Sequence, residues 1–149
     1  MAATWLAACG TVLLGGCGTV DLGDDIVPPD LQLDEDFFHC EIQPNVLTAK
    51  RCAGGDAGEE GSCHADRSAL RLQDVPTMPM CEDGVVVGGE IPAESLANYQ
   101  AVRFTVQSDV LSSPLYRRPT GMDSHPRMIF DTNDDCALLI TEWIQRGMP

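Results

Sequence analysis

Apolar positions along the chain recur mostly at steps of three and four, which divides it into helical stretches joined by long loops. Over residues 36–51, Phe37, Cys40, Val46 and Leu47 fall near one face. Asp34 or Asp36 stands ready to cap that helix, and Lys50 and Arg51 suit the negative end of its dipole. Pro44 interrupts the pattern and marks a kink or a fresh first turn. After Pro92, the recurrence of Leu96, Tyr99, Val102 and Val106 predicts a second helix. Ser113-Pro114 opens a one-turn piece over residues 115–118 that Pro119 closes. A last helix is predicted over residues 134–146, capped by Asp134, apolar along Leu139, Ile140, Trp143 and Ile144, and ended by Gly147.

The segments between are less regular. Residues 65–72 (ADRSALRL) read as extended chain or a single turn. Residues 73–90, rich in Pro, Gly and Met, read as a loop with one short strand at the β-branched run 85–87. Residues 120–133 form a loop that carries Met122, His125, Met128 and Phe130. The fold class expected is mainly α, a small helical domain with long loops.

Residues 2–16 are apolar or small, without a charged side chain, and run into Leu14-Gly15-Gly16-Cys17. This resembles a bacterial lipoprotein signal, in which the cysteine thiol takes a diacylglycerol; the run is too short for a spanning helix, which needs about 20 apolar residues. No Lys or Arg precedes it, which suggests a start upstream of Met1 and makes Leu6-Ala7-Ala8-Cys9 a competing lipidation site. The following stretch, dominated by Gly, Asp and Pro28-Pro29, reads as a tether. The organisation expected is a signal over 1–16, a lipid-anchored tether over 17–35 and one domain over 36–149. The corresponding location is the bacterial cell envelope, anchored to the bilayer and facing the periplasm or the exterior.

Composition narrows the chemistry. A formal net charge of −14 and the lack of a basic stripe exclude nucleic acid as a partner. Seven cysteines in 149 residues, behind an export signal, favour crosslinks or thioethers. Sequence signatures of hydrolases, metalloproteases, nucleotide-phosphate binding and calcium loops are missing, so no enzyme activity is expected. The cysteines nearest to chemistry are Cys52 and Cys63, the second followed directly by His64. Cysteine pairs that end in Cys-His attach c-type haem: two thiols add to the vinyl groups and the imidazole binds iron. Ten residues separate the sulfurs here, four of them glycine, and closing so flexible a loop costs little extra entropy. The same cysteines also suit an ordinary disulfide, worth about 2–4 kcal/mol. A zinc site from Cys52, Cys63 and His64 lacks a clear fourth ligand. His39, beside Phe38 and Cys40, reads as structural.

The run from Phe37-Phe38 through Gln43-Pro44 to Lys50-Arg51-Cys52 resembles the lead-in to the haem motif of bacterial cytochrome c-like domains, in the planctomycete-type branch. The residues SALRL after His64 are similar too, as are residues 113–121, His125 to Phe130 and the ending Trp143-Ile144-Gln145-Arg146-Gly147. The likeness spans roughly residues 37–149. It implies a small cytochrome c-like fold with Cys52 and Cys63 as thioether positions, His64 as proximal ligand and His125 as distal ligand, or Met122 or Met128 in its place. It also implies that the first and last helices touch, so that Cys40 and Cys136 form a disulfide. The function implied is electron transfer by an envelope-anchored lipoprotein carrying one haem c, with a redox protein as partner. The alternative is a disulfide-stapled cytochrome-like lipoprotein that has lost haem and serves envelope structure or protein interaction.

Overall fold

The computed structural model describes residues 31–53, 64–65 and 68–148. The signal, both candidate lipidation cysteines (Cys9 and Cys17), most of the tether and Cys63 lie outside the described residues. Asp34 accepts a hydrogen bond from the Phe37 N–H (3.0 Å) and so starts the first helix. That helix has α geometry over Glu35–Phe37 (α1) and π geometry over Phe38–Thr48. Pro44 sits inside the π stretch. In an α-helix its ring would meet the carbonyl four residues back, and the wider π turn removes that clash. The helix ends where Arg51 takes a left-handed conformation (φ 53°). The Cys52 N–H then reaches back to the Leu47 carbonyl (2.8 Å) and the Arg51 N–H to Thr48 (2.9 Å), the bond pair of a Schellman turn.

Strands Met80–Glu82 (β1) and Val85–Gly88 (β2) form an antiparallel hairpin, with Cys81 opposite Val86 and Glu82 opposite Val85. Asp83 and Gly84, both at positive φ, make its two-residue turn. Helix α2 follows at Ala93–Arg103, and α3 at Pro114–Arg117 is a single turn preceded by a 3₁₀ turn at Val110–Ser112. Helix α4 runs Asp135–Arg146; Asp134 caps it through the Cys136 N–H (2.9 Å), and Gly147 closes it. The chain is part helical, and the strand expected at residues 85–87 is present as one arm of the hairpin.

Helix α4 lies across the first helix, and the core forms where they meet. Phe38 is wholly buried, with the Tyr99 and Trp143 rings each 5.3 Å from its centroid. Aromatic pairs at such separations add about 0.5–1.5 kcal/mol each beyond area burial. The polar ends of both partners are satisfied by the chain before α1: Trp143 Nε1 donates to the Asp34 carbonyl (2.7 Å) and the Tyr99 hydroxyl to that of Leu33 (3.1 Å).

A polar seam runs beside this core. On α2 the buried face is Ser95, Asn98, Tyr99 and Val102, whereas Leu96 is partly exposed. Asn98 donates to Gln43 Oε1 (2.9 Å) and to the Gln73 carbonyl (2.8 Å), and accepts from the Gln73 N–H (2.7 Å). His39, also fully buried, has Nδ1 2.7 Å from Ser95 Oγ and Nε2 3.5 Å from Glu35. Serine, histidine and glutamate in that order suggest a nucleophile, but both Ser95 and His39 are sealed from solvent, so the group is structural.

The Cys40–Cys136 pairing is corrected by the structure: Cys40 is bonded to Cys81 of β1, with Cα atoms 5.8 Å apart. The first and last helices do touch, but Cys136 meets the far end of the π stretch, where its Sγ is 3.5 Å from the Asn45 carbonyl. Five residues separate Cys40 from Asn45, about 7 Å along a helix axis, so Cys136 is out of reach. Cys136 is buried and free, and Cys52 is half-buried and free. No helix among the described residues is long and apolar enough to cross a membrane.

Candidate functional site: an apolar cavity holding two histidines

One cavity of about 270 Å³ lies between the end of the first helix, the 64–72 segment, α3 with the loop after it, and α4. A single water needs about 10–15 Å³ on this measure, so the space suits a larger guest. Its wall is largely apolar, with Val46, Leu47, Leu70, Leu72, Leu115, Ile129, Phe130 and Ile140 contributing. Cys52, His64 and His125 all line it, so three of the four haem-site candidates meet in one place. Met122 and Met128 do not line the cavity and are exposed; Met128 instead covers Gly121.

Each functional side chain is held by local backbone. Cys52 follows the Schellman turn directly, so main-chain bonds set its position. Burial pushes its thiol up to about 11, with Cys136 adding to the effect against Arg127 and Lys50. It is therefore a neutral thiol at pH 7. His64 is clamped by the segment that follows it: its carbonyl accepts from the Leu72 N–H (2.8 Å), and its Nδ1 lies 2.8 Å from Ser68 Oγ and 3.3 Å from the Leu70 carbonyl. Burial lowers the His64 pKa, with His125 and Arg118 acting the same way against the Leu70 carbonyl, so the ring is neutral.

The His125 Nδ1 contacts the Arg127 carbonyl. A carbonyl only accepts, so that Nδ1 carries a proton, and in the neutral ring the lone pair is then on Nε2. The two imidazole centroids are 6.1 Å apart, with planes 21° from parallel. Among the described residues no group of three His, Cys, Asp or Glu side chains could hold a metal ion. Two imidazoles are thus what this cavity offers, which suits an ion that brings its other donors along.

Charge gathers at the same place. Lys50, Arg51, Arg118 and Arg127 line the cavity, four of the nine Lys and Arg residues in a chain of net charge −14. An apolar interior with cations around it fits a flat or elongated apolar guest bearing carboxylates. Sequence reasoning missed this grouping because Arg118 and Arg127 lie 67 and 76 residues from Arg51; nothing in their spacing joins them. Ser68 was missed as well, although its position four residues after His64 places it within reach of that ring.

No protein-family model, curated protein or solved structure matches the chain.

Proposed function

We propose that the cavity holds one haem and that the protein is an envelope-anchored electron carrier of cytochrome c-like build. The observation that carries this reading is the His64–His125 pair. Ring nitrogens that bind a metal ion lie about 2 Å from it, so two imidazoles that share one ion have centroids no more than about 6 Å apart, and the separation here is 6.1 Å. The side chains that would hold the group are His64 and His125 at the metal and Cys52 as a thioether, with Cys63 as the second thioether by resemblance. Lys50, Arg51, Arg118 and Arg127 would neutralise the two propionates.

When bound, haem supplies reversible one-electron exchange at iron. The chain's own residues do the rest. His64 and His125 would hold the metal between them and so keep substrate from it, while the aliphatic wall would keep water out. Cys52, a neutral thiol at pH 7, would hold the group through a thioether, with its S–H adding across a vinyl C=C at no net change of oxidation state.

The test is expression in a host with haem-attachment machinery, followed by visible spectroscopy and denaturing electrophoresis. A Soret band that stays with the polypeptide is expected, and His125→Ala should convert a low-spin six-coordinate spectrum to a five-coordinate one. A colourless chain would end the haem reading and leave the alternative, a crosslinked envelope lipoprotein with a structural or interaction role.

A further inference from the structure

We infer that Ser68 is a positioning residue that fixes the tautomer of His64 and presents its Nε2 to the cavity as an electron-pair donor. The Ser68 hydroxyl has a single proton. Ser68 Oγ lies 2.5 Å from the Leu70 carbonyl oxygen, and at that distance the proton must lie between them, because two lone pairs would otherwise face each other. The same oxygen is 2.8 Å from His64 Nδ1. With its proton committed, the hydroxyl can only accept there, so His64 Nδ1 is the protonated nitrogen. The Leu70 carbonyl, 3.3 Å from Nδ1, reinforces the assignment, as it too can only accept.

The chain of bonds therefore runs from His64 Nδ1–H to the Ser68 hydroxyl and on to the Leu70 carbonyl. It is anchored by the Leu72 N–H to the His64 carbonyl (2.8 Å), which ties the main chain of the ring to that of its acceptors. Bonds in series polarise one another, and a ring that donates to a polarised acceptor becomes a stronger base at its other nitrogen. The two histidines differ in this respect. His125 donates directly to a main-chain carbonyl, whereas His64 acts through a side chain that one substitution removes.

The tautomer assignment stands on this geometry alone; its redox consequence rests on the haem reading. The test of the first uses the full chain produced without haem and labelled with ¹⁵N at histidine, near pH 7.5. Long-range ¹H–¹⁵N correlation should show a protonated Nδ1 and an unprotonated Nε2 for His64. Ser68→Ala should admit the opposite tautomer, while Ser68→Thr, which keeps the hydroxyl, should restore the wild-type pattern. A protonated Nε2 in the wild type, or a Ser68→Ala spectrum unchanged from it, would overturn the assignment. In the haem-loaded chain Ser68→Ala should raise the midpoint potential and Ser68→Thr should leave it near wild type, because a weaker donor favours ferrous iron. An unchanged potential in Ser68→Ala would overturn the tuning role. A chain that binds no haem but shows the predicted tautomer would fail the haem reading alone.

Discussion

Cys40 and Cys81, 41 residues apart, are joined in a disulfide that fastens the hairpin to the buried middle of the first helix. Cys81 lies directly opposite Val86, so both strands are held by one bond. Cross-linking a loop of this length restricts the unfolded chain by about 4 kcal/mol in the entropy model. The double variant Cys40→Ala/Cys81→Ala should therefore lose about 2–4 kcal/mol in urea denaturation. The loss should be matched in the wild type by reduction with dithiothreitol. Equal midpoints for oxidised and reduced protein would contradict it.

His39 makes stability depend on pH. Burial lowers its pKa below the ordinary 6.5, outweighing Glu35 and Asp36, which pull it up; Tyr99 of α2 is the titratable group that faces it from the other side. The unfolded chain thus takes up the proton first as pH falls through 6.5. Stability is fully present above that value and declines below it, by at most about 1.4 kcal/mol per pH unit, until the folded pKa is passed. His64 is lowered by burial too and adds to the same window. His39→Gln should flatten the wild-type slope between pH 7 and 5 without abolishing it, as measured by urea midpoints at fixed ionic strength.

Asn98 is the hub of the polar seam. Asn98→Ala would leave buried Gln43 Oε1 without its donor and break both bonds to the Gln73 main chain, at about 1–3 kcal/mol. Asn98→Asp should be worse, since it removes both donors and buries a charge. Chemical denaturation of the two variants tests the order.

Arg118 lines the cavity and bears on the proposed haem rather than on the fold. A charge-assisted hydrogen bond to a carboxylate is worth about 1.5–3 kcal/mol, or about ten- to a hundredfold in affinity. In a chain with Cys52 and Cys63 both replaced by alanine, Arg118→Ser should weaken haem binding by about tenfold or more in titration, with the urea midpoint nearly unchanged.

Much of this architecture was legible because local chemistry wrote it. The Asp134 cap, the Ile140–Trp143–Ile144 stripe and the Gly147 stop act within a few residues of each other, and α4 lies where they predict. Pro92 and Pro114 also mark the two helix starts. Of the hairpin only the second strand, at residues 85–87, was expected, and the first was missed for a different reason. Asp83-Gly84 is a strong turn signal, but β1 is only Met-Cys-Glu, with too few β-formers to register as a strand. On α2 the predicted apolar stripe was displaced because Ser95 and Asn98, polar by composition, are buried by partners on distant segments. At the site, the cysteine and histidine positions were evident, whereas their convergence with Arg118 and Arg127 depends on tertiary packing. The Cys40 pairing followed the expectation of touching helices, which is correct, but missed the axial offset between Cys40 and Cys136.

The left-handed Arg51 has a bearing on how the thiol beside it tolerates change. Because the Cys52 N–H is bonded to the Leu47 carbonyl and the preceding Arg51 N–H to that of Thr48, the sulfur's address is written in main chain. Repacking of neighbouring aliphatic side chains can alter the volume and shape of the chamber without relocating that thiol. A library that varies Val46, Leu72 or Ile140 would then reshape the cavity while the sulfur stays put.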